Sequence, residues 1–410
     1  MLSESLIEKL NQYGQNHLLK YYDELDERQK ENYEKQLEEL DFEYVEIFKN
    51  KNKIGKNAED VYSPLEAMTI EDIEKKREVF EAAGIQALKE CKVGAVLLAG
   101  GQGTRLGFDK PKGMFNIGVN KEVYIFERII TNILDVVNIT GCYIPLFIMT
   151  SEINDKQTRA FFEEKNYFGY DRNYIFFFVQ SMAPSMSFDG KFYMEAKDRL
   201  SLSPNGNGGW FSSIIKADLI HQMERLEIEW LNVFSVDNVL QRIADPVYVG
   251  ATVLSGFPSS AKVVKKARPD ERVGVMCRKN GRPSIVEYYE LTDEMMQAKD
   301  SKGEPAYNYG VILNYMFRIK ELLDINGNNL TTHIVKKKIP YLDEEGVLVA
   351  PEEPNGYKFE TLILDMINML DDCLVYEVDR KREFAPVKNK EGVDSIDTAR
   401  ELLQYNGIEI

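Results

Sequence analysis

Two regimes of hydrophobic patterning divide the chain. Through residue 88 the apolar positions follow a helical period. Leu2, Leu6, Leu10 and Tyr13 recur at that spacing, and Tyr22 to Leu40 is dense in Glu, Lys and Gln with leucines at intervals. Ser63-Pro64-Leu65-Glu66 predicts an N-cap followed by proline at the first helical position. Residues 1–88 are thus expected to form a helical N-terminal domain, with a coiled-coil arm as the alternative; the heptads do not persist. From Val93 onward short apolar runs alternate with amphipathic stretches. Strands are predicted at Val93–Ala99, Ile144–Met149, Ile175–Val179, Leu231–Val236 and Val273–Arg278. Helices are predicted between them, at Ile125–Val137, Asp155–Glu164 and Phe211–Gln222. This alternation predicts an α/β protein with a doubly wound, mixed or parallel sheet and ligands at the carboxyl ends of the strands. The main α/β domain is expected over residues 89–330. Residues 331–410 return to mixed strand and helix, including Leu362–Leu370, and are expected to complete that domain and add a short C-terminal segment.

Composition narrows the possibilities. The chain has 410 residues, too many for one small core, and a net charge of −16 from 51 Lys+Arg and 67 Asp+Glu. Such a balance argues against nucleic-acid or anionic-membrane partners, which need a basic face, but permits a local basic pocket. The four cysteines, Cys91, Cys142, Cys277 and Cys373, are scattered with no C-x-x-C pair. They suggest reduced cytoplasmic thiols rather than a zinc site or a disulfide framework. His17, His221 and His333 sit in no catalytic motif. The polar, acidic start of the chain does not read as a signal peptide, and the most apolar run, Tyr174 to Val179, is too short to span a bilayer.

The stretch carrying most chemistry is V-G-A-V-L-L-A-G-G-Q-G-T-R-L-G-F-D-K-P-K-G, residues 93–113. An apolar strand breaks into Gly100, Gly101 and Gly103, where backbone N–H groups can approach a ligand and form a concave row of donors for phosphate oxygens. Arg105 and Lys112 add two cations, one a bidentate fork and the other a point charge. A dinucleotide fingerprint is excluded because Leu106 stands at the third glycine position, and no register gives a Walker loop. Without those neighbours a glycine-rich turn would be the simpler reading. A second candidate is Asp237 in Val236-Asp237-Asn238, a carboxylate at a predicted strand end, suited to Mg²⁺ beside a triphosphate or to capping the next helix.

The pattern L-x-x-G-x-G-T-x-L-x-x-x-x-P-K, from Leu98 to Lys112, resembles the signature of the UDP-sugar pyrophosphorylases, and the likeness runs from about residue 93 to about 400. The match is closest to the UDP-N-acetylglucosamine pyrophosphorylase branch. The resemblance implies a nucleotide-diphospho-sugar transferase fold, GT-A-like, with residues 89–330 as its catalytic domain. It implies a Mg²⁺-dependent uridylyltransferase that takes UTP and a hexose or hexosamine 1-phosphate. Leu98, Ala99, Gly100, Gly101, Gly103, Thr104, Gln180 and Gly206 are implied to bind UTP, the Gln180 amide matching uracil's edge with a donor and an acceptor. Asn207, Gly274, Glu287, Tyr288 and Asn308 are implied at the sugar, Asp237 as the metal ligand, and Arg105, Lys112 and Lys388 as the catalytic cations.

Departures from the family pattern fall at Asn205 (usually Asp), at Val311 (usually a second Asn) and at Leu362 and Leu364, usually aromatic in the N-acetylglucosamine branch. The alternatives are a glucose, galactose or N-acetylgalactosamine 1-phosphate substrate, or a nucleotide-sugar sensor without turnover. Oligomeric relatives use a small C-terminal domain, whereas this chain ends soon after Lys388, so a monomer is expected.

Overall fold

The computed structural model describes residues 2–50, 60–326 and 330–410. They fall into two units. Of the described residues, one comprises 2–50, 181–209 and 330–363; the other comprises 60–180, 210–326 and 364–410. Residues 60–88 thus belong with the second unit rather than with the N-terminal helices, and each unit is assembled from three separate stretches of chain.

The second unit is built on a ten-stranded sheet. Its strands in chain order are β1 (Tyr62–Pro64), β2 (Val93–Leu98), β3 (Leu146–Thr150), β4 (Ile175–Val179), β5 (Trp230–Ser235), β6 (Ser259–Lys265), β7 (Val275–Lys279), β8 (Arg282–Val286), β9 (Tyr309–Arg318) and β10 (Leu374–Glu377). All six residues of β2 are buried, as a strand covered on both faces requires. It pairs in parallel with β5 on one side, Val93 opposite Trp230, and with β3 on the other, Ala95 opposite Leu146. β3 pairs in parallel with β4. Beyond β5 the sheet turns antiparallel through β9, which also pairs with β6, and β6 runs parallel to β10. The result is a mixed α/β sheet whose four consecutive parallel strands end at one edge.

Most predicted elements lie within one or two residues of those observed. The helix predicted over Ile125–Val137 continues to Thr140 and stops at Gly141, whose left-handed backbone (φ +73°) closes its C-terminus. The helix predicted over Phe211–Gln222 is two helices, Trp210–Lys216 and Leu219–Arg225, divided at Asp218, which has φ +57°. At residues 63–66 the expected helix start is a strand instead. Tyr62–Pro64 pairs with β7, with Pro64 opposite Cys277, and the helix begins at Ile70 behind the N-cap Thr69. Pro64 is tolerated because β1 lies at the edge of the sheet, where a missing N–H breaks no second ladder.

The first unit has its own core, in which Leu10, Leu18, Tyr33, Leu37, Phe42, Phe192 and Phe359 are buried. Its helices include Glu4–Gln12, capped by Ser3, and Glu27–Glu38, which opens with a reciprocal capping box between Asp26 and Gln29. A three-stranded antiparallel sheet places Gly356–Thr361 between Thr332–Lys337 and Met186–Ser187. Buried Gln15 ties the helical stretch to residues 190–192, donating to the Gly190 carbonyl (2.9 Å) and accepting from the Phe192 N–H (3.0 Å). Among the described residues of the chain, no helix is long and apolar enough to cross a membrane.

Helices Arg77–Lys89 and Pro246–Ser255 of the second unit cross with their backbones in contact. A Cβ on Gly84 would stand 1.8 Å from the Pro246 oxygen, and one on Gly250 would stand 1.7 Å from the Phe80 oxygen. Gly250→Ala is expected to lower stability by about 1–3 kcal/mol or more by forcing the helices apart. Gly256→Ala, where φ is +74° and no atom lies within 4 Å of the added Cβ, should lose only about 1 kcal/mol of left-handed strain. Denaturant midpoints of the two variants measure the difference; equal losses would show that the helix crossing is not tight.

Candidate functional site

Register fixes the site before any side chain does. Ser235 pairs with Leu98, Leu98 with Met149, and Thr150 with Val179. The chain therefore leaves the four parallel strands at the same level, and the segments that follow begin at Ala99, Ser151, Gln180 and Val236. Ligands of such sheets bind at this carboxyl edge.

The glycines of the loop after β2 do different work. None of Gly100, Gly101 and Gly103 has positive φ; the left-handed residue is Gly107, φ +71°, which closes the short helix Thr104–Leu106. At Gly101 an added Cβ would meet nothing within 4 Å, so its face is open. At Gly100 it would lie 3.0 Å from the Gln180 Oε1, which covers that residue. Gly103 is a packing position, where a Cβ would lie 2.8 Å from both the ring and the carbonyl of Phe108. The Gly103 N–H donates inward to the Lys110 carbonyl, 3.0 Å away, so it is not offered to a ligand. Arg105 is exposed on the Thr104–Leu106 turn, and Leu106 anchors that turn in the core. Gly113, behind Lys112, is a second packing glycine, since a Cβ there would enter the Phe126 ring at 2.2 Å.

Lys112 and Asp237, 125 residues apart in sequence, meet in an ion pair with Nζ 2.5 Å from Oδ1. Their side chains are 11% and 30% exposed, so the pair is partly withdrawn from water yet open on the carboxylate side. The segment 383–388 is fastened beside them. The Val387 N–H donates to the Asp237 carbonyl (2.9 Å), the Val239 N–H to that of Ala385 (3.2 Å), and the Asn238 amide to that of Glu383 (2.7 Å). Lys388 thus stands next to the residue bonded to Asp237, with its ammonium 3.3 Å from Asp394 Oδ2.

Gly274 and Glu287 are also brought together. A Cβ on Gly274 would lie 3.6 Å from Glu287 Oε1 and 3.4 Å from Val311 Cγ2, and the Val311 N–H donates to the Gly274 carbonyl (2.9 Å). On β9, Asn314 pairs with Phe234, so Val311 lies beyond the carboxyl end of β5. Tyr288 is 43% exposed and packs edge-on against Tyr289. The Asn308 carbonyl accepts from the Lys266 N–H at 2.9 Å. Gly206 and Asn207 lie in the first unit. There Gly206 adopts φ +86° with its Cα against the Thr361 carbonyl, and Asn207 Oδ1 accepts from the Ile363 N–H at 3.0 Å.

Several residues in these networks carry no sequence signal of their own. Asn238 is buried and spans 145 and 147 residues to Glu383 and Ala385. Asp394 pairs with Lys388, and Ser151 and Asn154 hold the carbonyls of the glycine loop. A serine two positions past the predicted strand Ile144–Met149, with an asparagine three positions on, was the available hint.

Parallel strands that deliver an open glycine loop, a lysine and a carboxylate to one edge define a nucleotide-binding α/β protein of the nucleotidyltransferase type. The model of the UTP–glucose-1-phosphate uridylyltransferase family matches residues 37–399, and the chain belongs to that family. It is 39% identical over 338 residues to UDP-N-acetylhexosamine pyrophosphorylase-like protein 1 of Homo sapiens, covering 80% of this chain and 67% of that one. It is 38% identical over 356 residues to the UDP-N-acetylglucosamine pyrophosphorylase of Saccharomyces cerevisiae, covering 82% and 74%. Among solved structures, the uridine diphosphate N-acetylglucosamine pyrophosphorylase from Trypanosoma brucei in complex with inhibitor aligns with a TM-score of 0.84 at 27% identity, over 98% of this chain and 85% of that one.

The segment bearing Lys388 is locked by a buried ion pair. The Lys262 side chain is 0% exposed, and its ammonium donates to Glu383 Oε2 (2.6 Å) and to the Arg242 carbonyl (2.9 Å) over the Tyr248 ring. Glu383→Leu is expected to cost about 3–5 kcal/mol, because it leaves a buried ammonium without its counter-ion. Lys262→Met combined with Glu383→Leu should recover most of that loss. Guanidinium unfolding of the single and double variants checks both; a double variant no better than the single one refutes the charge argument.

Proposed function

We propose that the chain is a uridylyltransferase that joins UTP and N-acetylglucosamine 1-phosphate to give UDP-N-acetylglucosamine and pyrophosphate. The observation that carries this reading is the open face of the glycine loop, set at the same strand edge as the Lys112–Asp237 pair, in a chain of this family. An oxygen of the sugar phosphate attacks the α-phosphorus in line. A new P–O bond forms, and the bond from the α-phosphorus to the bridging oxygen breaks, releasing pyrophosphate. The attacking group is already an anion, so no side-chain nucleophile is required, and catalysis consists of alignment and charge stabilisation.

The chain's residues divide this work. Leu98, Ala99 and the loop Gly100–Thr104 line the phosphate side, with Gly101 giving the closest approach and Gly103 holding the loop's shape. The amide of Gln180 would meet the uracil. Gly274, Glu287, Tyr288 and Asn308 would meet the sugar. Arg105 and Lys112 would neutralise charge on the departing pyrophosphate, and Lys388 would steady the phosphate of the sugar substrate.

Among the described residues, no group of three or more His, Cys, Asp or Glu is arranged to hold a metal ion. A single carboxylate suits a Mg²⁺ ion shared with a triphosphate, and Asp237 would be the residue that holds it. The ion would supply positive charge to the phosphates. The ion pair favours such a composite ligand. A bare polyphosphate would gain Lys112 but face the Asp237 charge, whereas a metal–triphosphate presents a charge of the right sign to each partner. A monomer in the cytoplasm belongs to the same reading.

Pyrophosphate release from UTP with N-acetylglucosamine, N-acetylgalactosamine, glucose and galactose 1-phosphates tests the proposal. N-Acetylglucosamine 1-phosphate should give the highest kcat/KM. Val311, beside Gly274, makes glucose 1-phosphate the comparison that matters most. Nucleotide binding without pyrophosphate release from any of the four would make the chain a sensor instead. Arg105→Ala is expected to lower kcat on the order of 10²- to 10³-fold with an unchanged melting temperature, because the side chain is exposed and stabilises a developing charge. Near-normal turnover in that variant would remove the leaving-group role. Asp237→Asn should lose turnover together with its dependence on added Mg²⁺. A variant that melts early but retains its activity per folded molecule would make Asp237 a purely structural residue.

A further inference from the structure

Three successive peptide planes of the glycine loop are turned the same way by two side chains from one turn. Asn154 donates from Nδ2 to the carbonyl of Ala99 (2.9 Å) and, more weakly, to that of Gly101 (3.4 Å). Ser151 Oγ donates to the carbonyl between them, that of Gly100 (2.9 Å). The Gly101 carbonyl also accepts from the Lys112 N–H at 3.2 Å. No peptide bond described here is cis, and in a trans peptide the N–H points opposite to the C=O. Holding these carbonyls on the Ser151 and Asn154 side aims the N–H groups of Gly100, Gly101 and Gln102 the other way. None of those three N–H groups has a protein acceptor among the described residues. At Gly101 itself an added Cβ would meet nothing within 4 Å, so no side chain crowds the middle of the row.

The two side chains are themselves fixed. Ser151 is 2% exposed and Asn154 is fully buried. Asn154 Oδ1 accepts from the Ser151 N–H (2.8 Å), which orients the amide so that its NH₂ faces the loop. Asn154 also caps the helix Asp155–Glu164 through its carbonyl, which accepts from the Thr158 N–H (2.9 Å), and Thr150 Oγ1 bonds Asp155 (2.6 Å). Thr150 Oγ1 also donates to the Phe178 carbonyl (3.1 Å), which braces this turn against β4.

We propose that Ser151 and Asn154 are positioning residues that set the three N–H groups of Gly100, Gly101 and Gln102 as a preformed receptor for the phosphate oxygens of a nucleoside triphosphate. They do so without touching the substrate. The inference deepens the uridylyltransferase reading and rests on it for the identity of the ligand. Its physical content is pre-organisation. Donors aimed in advance need no reorganisation when the anion arrives, and a supporting bond can be worth as much as a direct one. Losing either anchor lets a peptide plane rotate and turns one donor away.

Inorganic tripolyphosphate supplied with Mg²⁺, which carries the phosphates without uracil or ribose and spares them the bare Asp237 charge, is the direct probe. Its affinity would be measured by calorimetry on the full chain and on Ser151→Ala, Ser151→Thr and Asn154→Asp, with melting temperatures alongside. Asn154→Asp keeps the acceptor toward the Ser151 N–H and deletes the donor toward the loop, whereas Ser151→Thr keeps the hydroxyl. Ser151→Ala and Asn154→Asp should each bind about fivefold to tenfold more weakly, the worth of one hydrogen bond, while Ser151→Thr stays near the wild type. In turnover, Ser151→Ala should raise KM for UTP and lower kcat while leaving KM for the sugar phosphate in place. Wild-type affinity in both Ser151→Ala and Asn154→Asp, an equal loss in Ser151→Ala and Ser151→Thr, or no tripolyphosphate binding by the wild type would each overturn the proposal. If the wild type binds tripolyphosphate, the variants follow the expected order, and no pyrophosphate is released from UTP, the uridylyltransferase reading fails and this inference stands.

Discussion

The structure depends on the parallel pairing of β2 with β5 and β3. β2 is buried along its whole length and carries no polar side chain, so its position is dictated by apolar contact on both faces and by two ladders of backbone hydrogen bonds. A slip of one residue would exchange its two faces and move every group at its end by about 3.3 Å. Gly100, Ser151, Gln180 and Asp237 hold their relations because each lies within a residue or two of the end of a strand in this one register. The chemistry at the edge is thereby delegated to a part of the molecule that has no chemistry of its own.

What could be read from the sequence follows the same boundary. The apolar strand and the glycines after it are legible because burial and backbone geometry are local properties with local signatures. The glycines also show the limit of that legibility. The five in the 100–113 stretch look alike as letters, yet Gly100 lies under Gln180, Gly101 gives open space, Gly103 and Gly113 make room for Phe108 and Phe126, and Gly107 alone needs a left-handed backbone. A glycine reports that a side chain is unwelcome, not whether a ligand or a phenylalanine excludes it. Ser63-Pro64 fails for a related reason. The dipeptide suits a helix start and an edge strand equally, and the choice is made by β7, more than 200 residues away.

The residues that sequence reading passed over share one feature. Asn238, Glu383 and Lys262 are polar, buried and satisfied by partners 121 to 147 residues distant, so nothing in their neighbourhoods announces them. The same holds for the division of the chain. Residues 181–209 and 330–363 pair with each other, as Tyr357 does with Met186, and join the N-terminal helices in a shared core, and each stretch in isolation reads as ordinary loop and strand. Asn154 is intermediate. Its capping position is local, but that its amide reaches across to the loop after β2 follows only from the pairing of β2 with β3.

The Lys262–Glu383 pair raises the question of why a site should rest on buried charge when apolar packing would cost less desolvation. Geometry supplies an answer. Residues 383–388 reach Asp237 through a few backbone bonds and no continuous strand, so apolar contact alone would tolerate a shift of one residue. A carboxylate that must meet a fully buried ammonium at 2.6 Å tolerates no shift, because any other register leaves both charges without partners. A one-residue displacement would also carry Lys388 away from Asp237 and replace it with Val387 or Asn389, neither of which bears a charge. Here the ion pair acts less as a source of stability than as a register mark, and what it registers is the pairing of residues 385–387 with the backbone of Asp237 and Val239.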